Sequence, residues 1–74
     1  MTSLPESVII RDPEILSGEP VFRGTRVPFQ TLLDYLEAGD SLDEFLGQFP
    51  GVTRQQAVAA LEEAKALLLA RFEP

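Results

Sequence analysis

Everything ahead of the helical half of this chain turns on one run, Asp12-Pro13-Glu14-Ile15-Leu16-Ser17-Gly18-Glu19-Pro20-Val21-Phe22-Arg23-Gly24-Thr25-Arg26-Val27-Pro28. It is too rich in Gly, Pro and Arg for a core element, yet it lies among strongly hydrophobic positions. Such a segment has its backbone shape specified residue by residue. Pro13, Pro20 and Pro28 fix φ and remove donors, while Gly18 and Gly24 admit φ values that other residues avoid. Just upstream, Val8-Ile9-Ile10 is a short β-branched run ending at Asp12-Pro13, and Val21-Phe22-Arg23 is a second extended piece. Together they predict two small strands joined by a Pro13 to Gly18 turn that contains one helical turn. An isolated two-stranded hairpin is marginal in water, so it must pack on helices or pair with another chain.

From Pro28 the hydrophobic period changes from strand to helix. Phe29, Leu32, Leu33 and Leu36 recur at helical spacing, with Gln30, Thr31, Asp34 and Glu37 on the other side. Pro28 suits a first helical turn, and Gly39 suits the left-handed residue just past the end. A second helix opens with the capping box Ser41-Leu42-Asp43-Glu44, carries the stripe Leu42, Phe45, Leu46 and Phe49, and stops at Pro50-Gly51. A third opens with another box, Thr53-Arg54-Gln55-Gln56, and its stripe is Ala57, Leu61, Ala64, Leu68 and Phe72. The expected architecture is therefore mainly α: one domain over residues 1–74, with a β-hairpin and Arg-Gly-Thr-Arg turn over 7–27 and a three-helix bundle over 28–72.

The third helix departs from simple amphipathicity. Its first half keeps Glu62, Glu63 and Lys65 on the outer face, but Ala66, Leu67, Leu68, Leu69 and Ala70 then surround it with apolar atoms. A helix that is apolar all round is normally buried on several sides. Either a partner covers this end, or it is a frayed Ala/Leu-rich tail with high helix propensity.

Seventy-four residues form one small domain, and a domain near this size buries only about 60% of its unfolded surface. Without cysteine or histidine there is neither a disulfide framework nor the usual zinc ligand set. Stabilisation has to come from helix packing or a partner chain. No basic start leads into an apolar run, and no apolar stretch approaches the about 18 residues of a membrane span, so a cytoplasmic location is expected. The net charge is −6, with −1 in residues 1–28 and −5 in residues 29–74. That acidic balance is a poor footprint for a duplex DNA binder acting alone.

Catalysis has little to stand on. Ser3, Ser7, Ser17 and Ser41 read as tail, strand edge, turn and cap, and the acid pairs Asp43-Glu44 and Glu62-Glu63 fall on exposed helix faces without a desolvated pocket. No enzyme, cofactor or metal site is expected. Two constellations remain. The second helix, the short turn at Pro50-Gly51-Val52 and the third helix have the order of a helix-turn-helix, and Thr53, Arg54, Gln55 and Gln56 are residue types that hydrogen-bond base edges. Against that, Thr53 and Gln56 are equally explained as a capping box. Arg23-Gly24-Thr25-Arg26 is the other: its arginines serve either local ion pairs with Glu14, Glu19 or helix acids, or a forked donor site for phosphate or clustered carboxylates.

The opening Asp12-Pro13-Glu14, the Gly18-Glu19-Pro20-Val21 step and the Arg23-Gly24-Thr25-Arg26-Val27-Pro28 close also carry a family resemblance. The chain resembles the bacterial domain of unknown function four-three-three, and Leu36-Glu37-Ala38-Gly39, Phe49-Pro50-Gly51-Val52-Thr53 and Ala60-Leu61 extend the match over roughly Val8 to Ala64. The resemblance implies a homeodomain-like three-helix bundle behind a short hairpin. It also implies an antitoxin, encoded beside a PIN-like ribonuclease toxin that it neutralises, commonly a homodimer, repressing its own operon as a complex.

A mechanism follows from that implication. PIN-type nucleases hold magnesium on an acidic cluster, which an inserted arginine can occupy in place of metal. Arg26 and then Arg71, beside Phe72, are the candidates for insertion, with Arg23 as companion on the turn. Leu67, Leu69 and Phe72 would supply contact area. Two rivals stand beside this reading. A stand-alone DNA-binding regulator would read an operator through Thr53, Arg54, Gln55 and Gln56, and a non-enzymatic adaptor would form a homodimer without a nuclease partner.

Overall fold

Two short strands, β1 (Ile9–Ile10) and β2 (Val21–Phe22), pair antiparallel with Ile9 opposite Phe22 and Ile10 opposite Val21. The computed structural model describes residues 7–72, so Ser3 lies outside the described residues. The connection between the strands is tied at both ends. Asp12 accepts from Glu14 N through Oδ1 at 2.9 Å and from Ile15 N through its carbonyl at 2.8 Å, an Asx-type turn. One tight turn follows over Leu16–Gly18, where a helical turn is expected, but its hand is reversed. Leu16, Ser17 and Gly18 have φ of 50°, 56° and 87°, and each non-glycine residue there costs about 1–2 kcal/mol. Gly18 N to Ile15 O at 3.0 Å and Glu19 N to Leu16 O at 3.1 Å close the turn, and Arg11 Nε donates to Gly18 O at 2.7 Å.

After β2 the chain doubles back. Phe22 N donates to Val27 O at 3.0 Å, Val21 bridges Pro28, and Phe29 N donates to Pro20 O at 3.1 Å. Pro28 is the cap (φ −67°, ψ 143°) rather than a residue of the first turn, and α1 runs Phe29–Glu37. The end of α1 is set by Gly39 at φ 91°. Gly39 N reaches Leu36 O at 3.1 Å and Asp40 N reaches Tyr35 O at 2.9 Å, the paired bonds of a Schellman motif.

Helix α2 (Leu42–Gln48) is capped by Ser41, whose Oγ accepts from Glu44 N at 3.0 Å. Only half of the expected box forms there, because the Ser41 hydroxyl turns to donate to the Glu44 carboxylate at 3.4 Å. Helix α3 (Arg54–Ala70) carries the complete box: Thr53 Oγ1 accepts from Gln56 N, and Gln56 Oε1 accepts from Thr53 N, both at 3.0 Å. Three helices behind a hairpin make the fold mainly α.

The core gathers where β2, α1, α2 and the start of α3 meet: Phe22, Leu32, Phe45, Val52, Ala57 and Ala60. Phe45 is its hub, with ring centroids 6.1 Å from Phe22, 5.6 Å from Tyr35 and 5.1 Å from Phe49. These spacings suit tilted and edge-on aromatic pairs. To this core α3 gives only two small fully buried residues, Ala57 and Ala60, with Leu61 half buried. From Glu62 to Phe72 every residue is exposed. The expected α3 stripe therefore meets the core at Ala57 and Leu61 alone, while Ala64, Leu68 and Phe72 stand in solvent. The reason is length. At about 1.5 Å per residue α3 is roughly 26 Å long, against about 14 Å for α1 and 11 Å for α2, and the shorter helices run out of surface to cover it.

Candidate interaction site

The Arg-Gly-Thr-Arg segment is a rigid corner. Thr25 N donates to Phe22 O at 3.0 Å, and Gly24, third of the four residues, has φ 78°, as a type II turn requires. Thr25 Oγ1 donates to Phe22 O at 2.8 Å and accepts from Val27 N at 3.0 Å, locking the corner from inside. Of the two arginines, Arg23 is drawn back onto the hairpin: Nε and Nη2 donate to Ser7 O at 3.2 and 2.9 Å, and its backbone N donates to Val8 O at 2.7 Å. Arg26 is exposed, and among the described residues no hydrogen bond or ion pair restrains its guanidinium.

The corner docks on the start of α3. Gln56 Nε2 donates to Arg23 O at 3.1 Å, and a Cβ built on Gly51 would lie 3.8 Å from Thr25 Cγ2. Two groups of candidate residues, Arg23 with Arg26 and Thr53 through Gln56, thus share one end of the molecule. Their availability differs. Thr53 and Gln56 are committed to the cap, Arg54 pairs with Asp43 across the α2–α3 junction, and Gln55 is exposed. The joining of these groups depends on a contact 33 residues apart in sequence, which no local periodicity signals.

At the other end of α3 lies an apolar surface. Leu67, Leu68, Leu69 and Phe72 are 69%, 54%, 54% and 75% exposed, and Arg71 beside them is exposed. A groove of about 420 Å³ opens between this helix and β1, walled by Ile9, Ile10, Pro20, Phe29, Ala64 and Leu67. Arg11 and Glu63 stand at its rim, and Glu63 Oε2 accepts from Ser7 Oγ at 2.7 Å. Sequence reasoning missed Arg11 and the groove, because both arise from the meeting of β1 with a distant helix. Leu69 lies at this apolar end but outside the groove. At about 100° per residue it sits almost opposite Ala60 and Ala64 on the helix.

Of the two acid pairs only Glu63 borders the groove, and it is exposed and bonded to Ser7 Oγ. Asp43 is taken by Arg54, Glu62 pairs with Lys65 at 2.9 Å, and no polar or charged side chain among the described residues is buried. Among the described residues no group of three or more Asp or Glu is placed to hold a metal ion, and no helix is long and apolar enough to cross a membrane.

Comparison with known proteins adds a family. The family described as "Protein of unknown function (DUF433)" matches residues 9–64. The uncharacterized protein y4eO of Sinorhizobium fredii is 35% identical over 49 residues, 66% of this chain. This chain spans only 22% of that relative's length. The crystal structure of a DUF433 member protein from Anabaena variabilis ATCC 29413 superposes with a TM-score of 0.70 at 30% identity, covering 82% of this chain and 60% of that one. The matched span holds the hairpin, the arginine corner, α1, α2 and most of α3, and on it the chain belongs to the DUF433 family.

Proposed function

We propose that this chain is the antitoxin of a toxin–antitoxin pair, a non-enzymatic cytoplasmic protein that neutralises a PIN-like ribonuclease. The observation that supports this reading is the unrestrained guanidinium of Arg26, held out by a hydrogen-bonded turn on an otherwise acidic chain. A nuclease of that type collects carboxylates around its metal. A planar guanidinium on a fixed corner binds carboxylates in bidentate fashion and displaces the cation. The acidic body around it repels RNA phosphate from the same groove. Preorganisation matters here, because the turn backbone is fixed before binding and only the Arg26 side chain is left to order on docking.

The test is neutralisation of the nuclease encoded beside this chain. Purified nuclease is assayed on RNA with increasing amounts of parent chain, Arg26→Ala and Arg26→Lys. The plug predicts at least a tenfold higher inhibitory concentration for Arg26→Ala, and partial recovery by Arg26→Lys, which keeps the charge but loses the fork. Full neutralisation by Arg26→Ala would rule it out.

Operon repression in this reading belongs to the complex with the nuclease. The pairing of Arg54 with Asp43 and the commitment of Thr53 and Gln56 to the cap weigh against operator binding by the chain alone.

A further inference from the structure

We propose that β1 binds an extended segment of another protein. A short guest strand adds parallel to the open edge of β1, in the groove beside α3, with a basic residue at its amino end and an acid at its carboxyl end. The proposal stands apart from the inhibitor reading, since this edge and the Arg23–Arg26 corner share no residue.

The register of the hairpin decides which backbone groups face outward. In an antiparallel pair, successive residues turn their N–H and C=O alternately toward and away from the other strand. Arg23 N donates to Val8 O, so Val8 and, two residues on, Ile10 point toward β2. Phe22, opposite Ile9, turns its N–H the other way, to Val27 O. Ile9 and Arg11 therefore direct their backbone groups away from β2. Ile9 N is taken by Ser7 Oγ at 3.0 Å. The same hydroxyl donates to Glu63 Oε2, which sets this edge on the α3 side, along the groove. Ile9 O and Arg11 N bond to no group among the described residues. The far edge of β2 is covered by Val27 and Pro28.

Those two open groups select the direction of the guest. In a parallel ladder a single guest residue lies opposite Ile10, gives its N–H to Ile9 O and accepts from Arg11 N on its carbonyl. An antiparallel guest would need Ile9 N, which the Ser7 hydroxyl already holds. A strand edge with unpaired groups is a template for such addition.

The rim charges agree with that direction. The bond between Ser7 and Glu63 closes the groove at the start of β1, and Arg11 stands at its end. A parallel guest enters over Glu63, which gives Oε2 to Ser7 and keeps Oε1 for a guest Lys or Arg. It leaves past Arg11, which commits Nε to Gly18 O at 2.7 Å and pairs with no acid among the described residues. The Nη groups of Arg11 then take the guest carboxylate. Between the two charges Phe29, Ala64 and Leu67 wall a groove of about 420 Å³, which receives apolar guest side chains. Three extended guest residues, at about 3.3 Å each, run alongside Ile9 to Arg11.

The probe is the end-blocked peptide Lys-Val-Ile-Val-Asp, titrated to millimolar concentration against the isotope-labelled chain and followed by amide NMR. The Arg11 amide is expected to move downfield and its hydrogen exchange to slow about tenfold. N-methylation of the central Ile removes the hydrogen given to Ile9 O and should weaken binding about tenfold. N-methylation of the Val after it, whose N–H points away from β1, should leave binding unchanged. The reversed order Asp-Val-Ile-Val-Lys should bind about fivefold more weakly. Leu67→Glu should also weaken binding, with the fold intact, because Leu67 is 69% exposed and only walls the groove. A stationary Arg11 amide at millimolar peptide, equal binding of the reversed peptide, or equal loss from the two N-methyl peptides would overturn the proposal. So would an Arg11 amide already protected in the chain alone, which would assign the edge to this chain or a second copy of it. No nuclease enters the measurement, so its failure leaves the Arg26 reading untouched.

Discussion

Gln56 holds the carbonyl oxygen of Arg23 at 3.1 Å through its side-chain nitrogen, while its side-chain oxygen accepts from Thr53 N at 3.0 Å. One amide therefore closes the first turn of α3 and anchors the arginine corner to it. The corner's position relative to the bundle is set by this side chain together with the backbone pairing of β2.

Gln56→Glu separates the two duties. A carboxylate can still accept from Thr53 N, so the capping box survives, but it has no hydrogen to donate to Arg23 O. Gln56→Ala loses both. The expected losses are about 1 kcal/mol for Gln56→Glu and about 2 kcal/mol for Gln56→Ala, read from urea unfolding midpoints. Equal losses for the two variants would mean that the bond to Arg23 contributes nothing measurable.

Glycine gives a pair of opposite signs. Gly39 sits at φ 91°, whereas Gly47 lies inside α2 with helical backbone, and a Cβ would meet nothing within 4 Å at either position. Sterics against neighbours therefore cancel, and only backbone preference remains. Gly39→Ala should lower stability by about 1–2 kcal/mol, and Gly47→Ala should raise it by about 0.5–1 kcal/mol. Thermal melts of the two variants against the parent give both signs in one experiment.

These cases mark what the sequence could and could not tell. Gly39, Thr53 with Gln56, and the periodic Phe29, Leu32, Phe45 and Ala57 were legible because caps and helical stripes are local rules written within a few residues. The reversed hand at Leu16 and Ser17 was not, since it overrides the ordinary backbone preference of both residues. The half-made box at Ser41 was not legible either, because Ser-x-x-Glu encodes the residues but not which way the hydroxyl turns. Of the candidate site, the arginines and the over-apolar end of α3 could be named, but the docking of the Arg23–Arg26 corner at the opposite end of that helix required the fold.

Phe45 is the core residue whose loss the domain can least absorb. It is fully buried and its ring meets Phe22, Tyr35 and Phe49. Truncation to alanine removes about 3–5 kcal/mol, comparable to the whole stability that a core of this size supplies. Phe45→Ala should therefore be largely unfolded at 25 °C. Phe45→Leu should fold with a lower midpoint, because it keeps most of the apolar bulk but loses ring pairs worth about 0.5–1.5 kcal/mol each. Tyr35 is the sole tyrosine in a chain without tryptophan, so its emission reports the state of this cluster directly. A fully folded Phe45→Ala would show that the core is more redundant than its geometry indicates.

Asp43 and Arg54 offer a last test, at the junction of α2 and α3. Their side chains remain 74% and 59% exposed although they pair, so solvent screens the interaction and its loss should cost less than about 1 kcal/mol. Arg54→Ala and Asp43→Asn are thus probes of function rather than folding. If the start of α3 meets operator DNA in the complex with the nuclease, Asp43→Asn weakens the hold on the guanidinium and removes a negative charge from the same face. Affinity should rise, and should become steeper in salt. Arg54→Ala should lower affinity and flatten that salt slope by about one. Gel-shift titrations at two salt concentrations, made with the complex and with the isolated chain, measure all four quantities. The isolated chain is expected to show no salt-steep binding with either residue in place, because a net charge of −6 outweighs Arg54 and the Arg23–Arg26 corner that shares its end of the molecule. Tight operator binding by the isolated parent, lost in Arg54→Ala at unchanged unfolding midpoint, would instead make this chain a DNA-binding regulator in its own right.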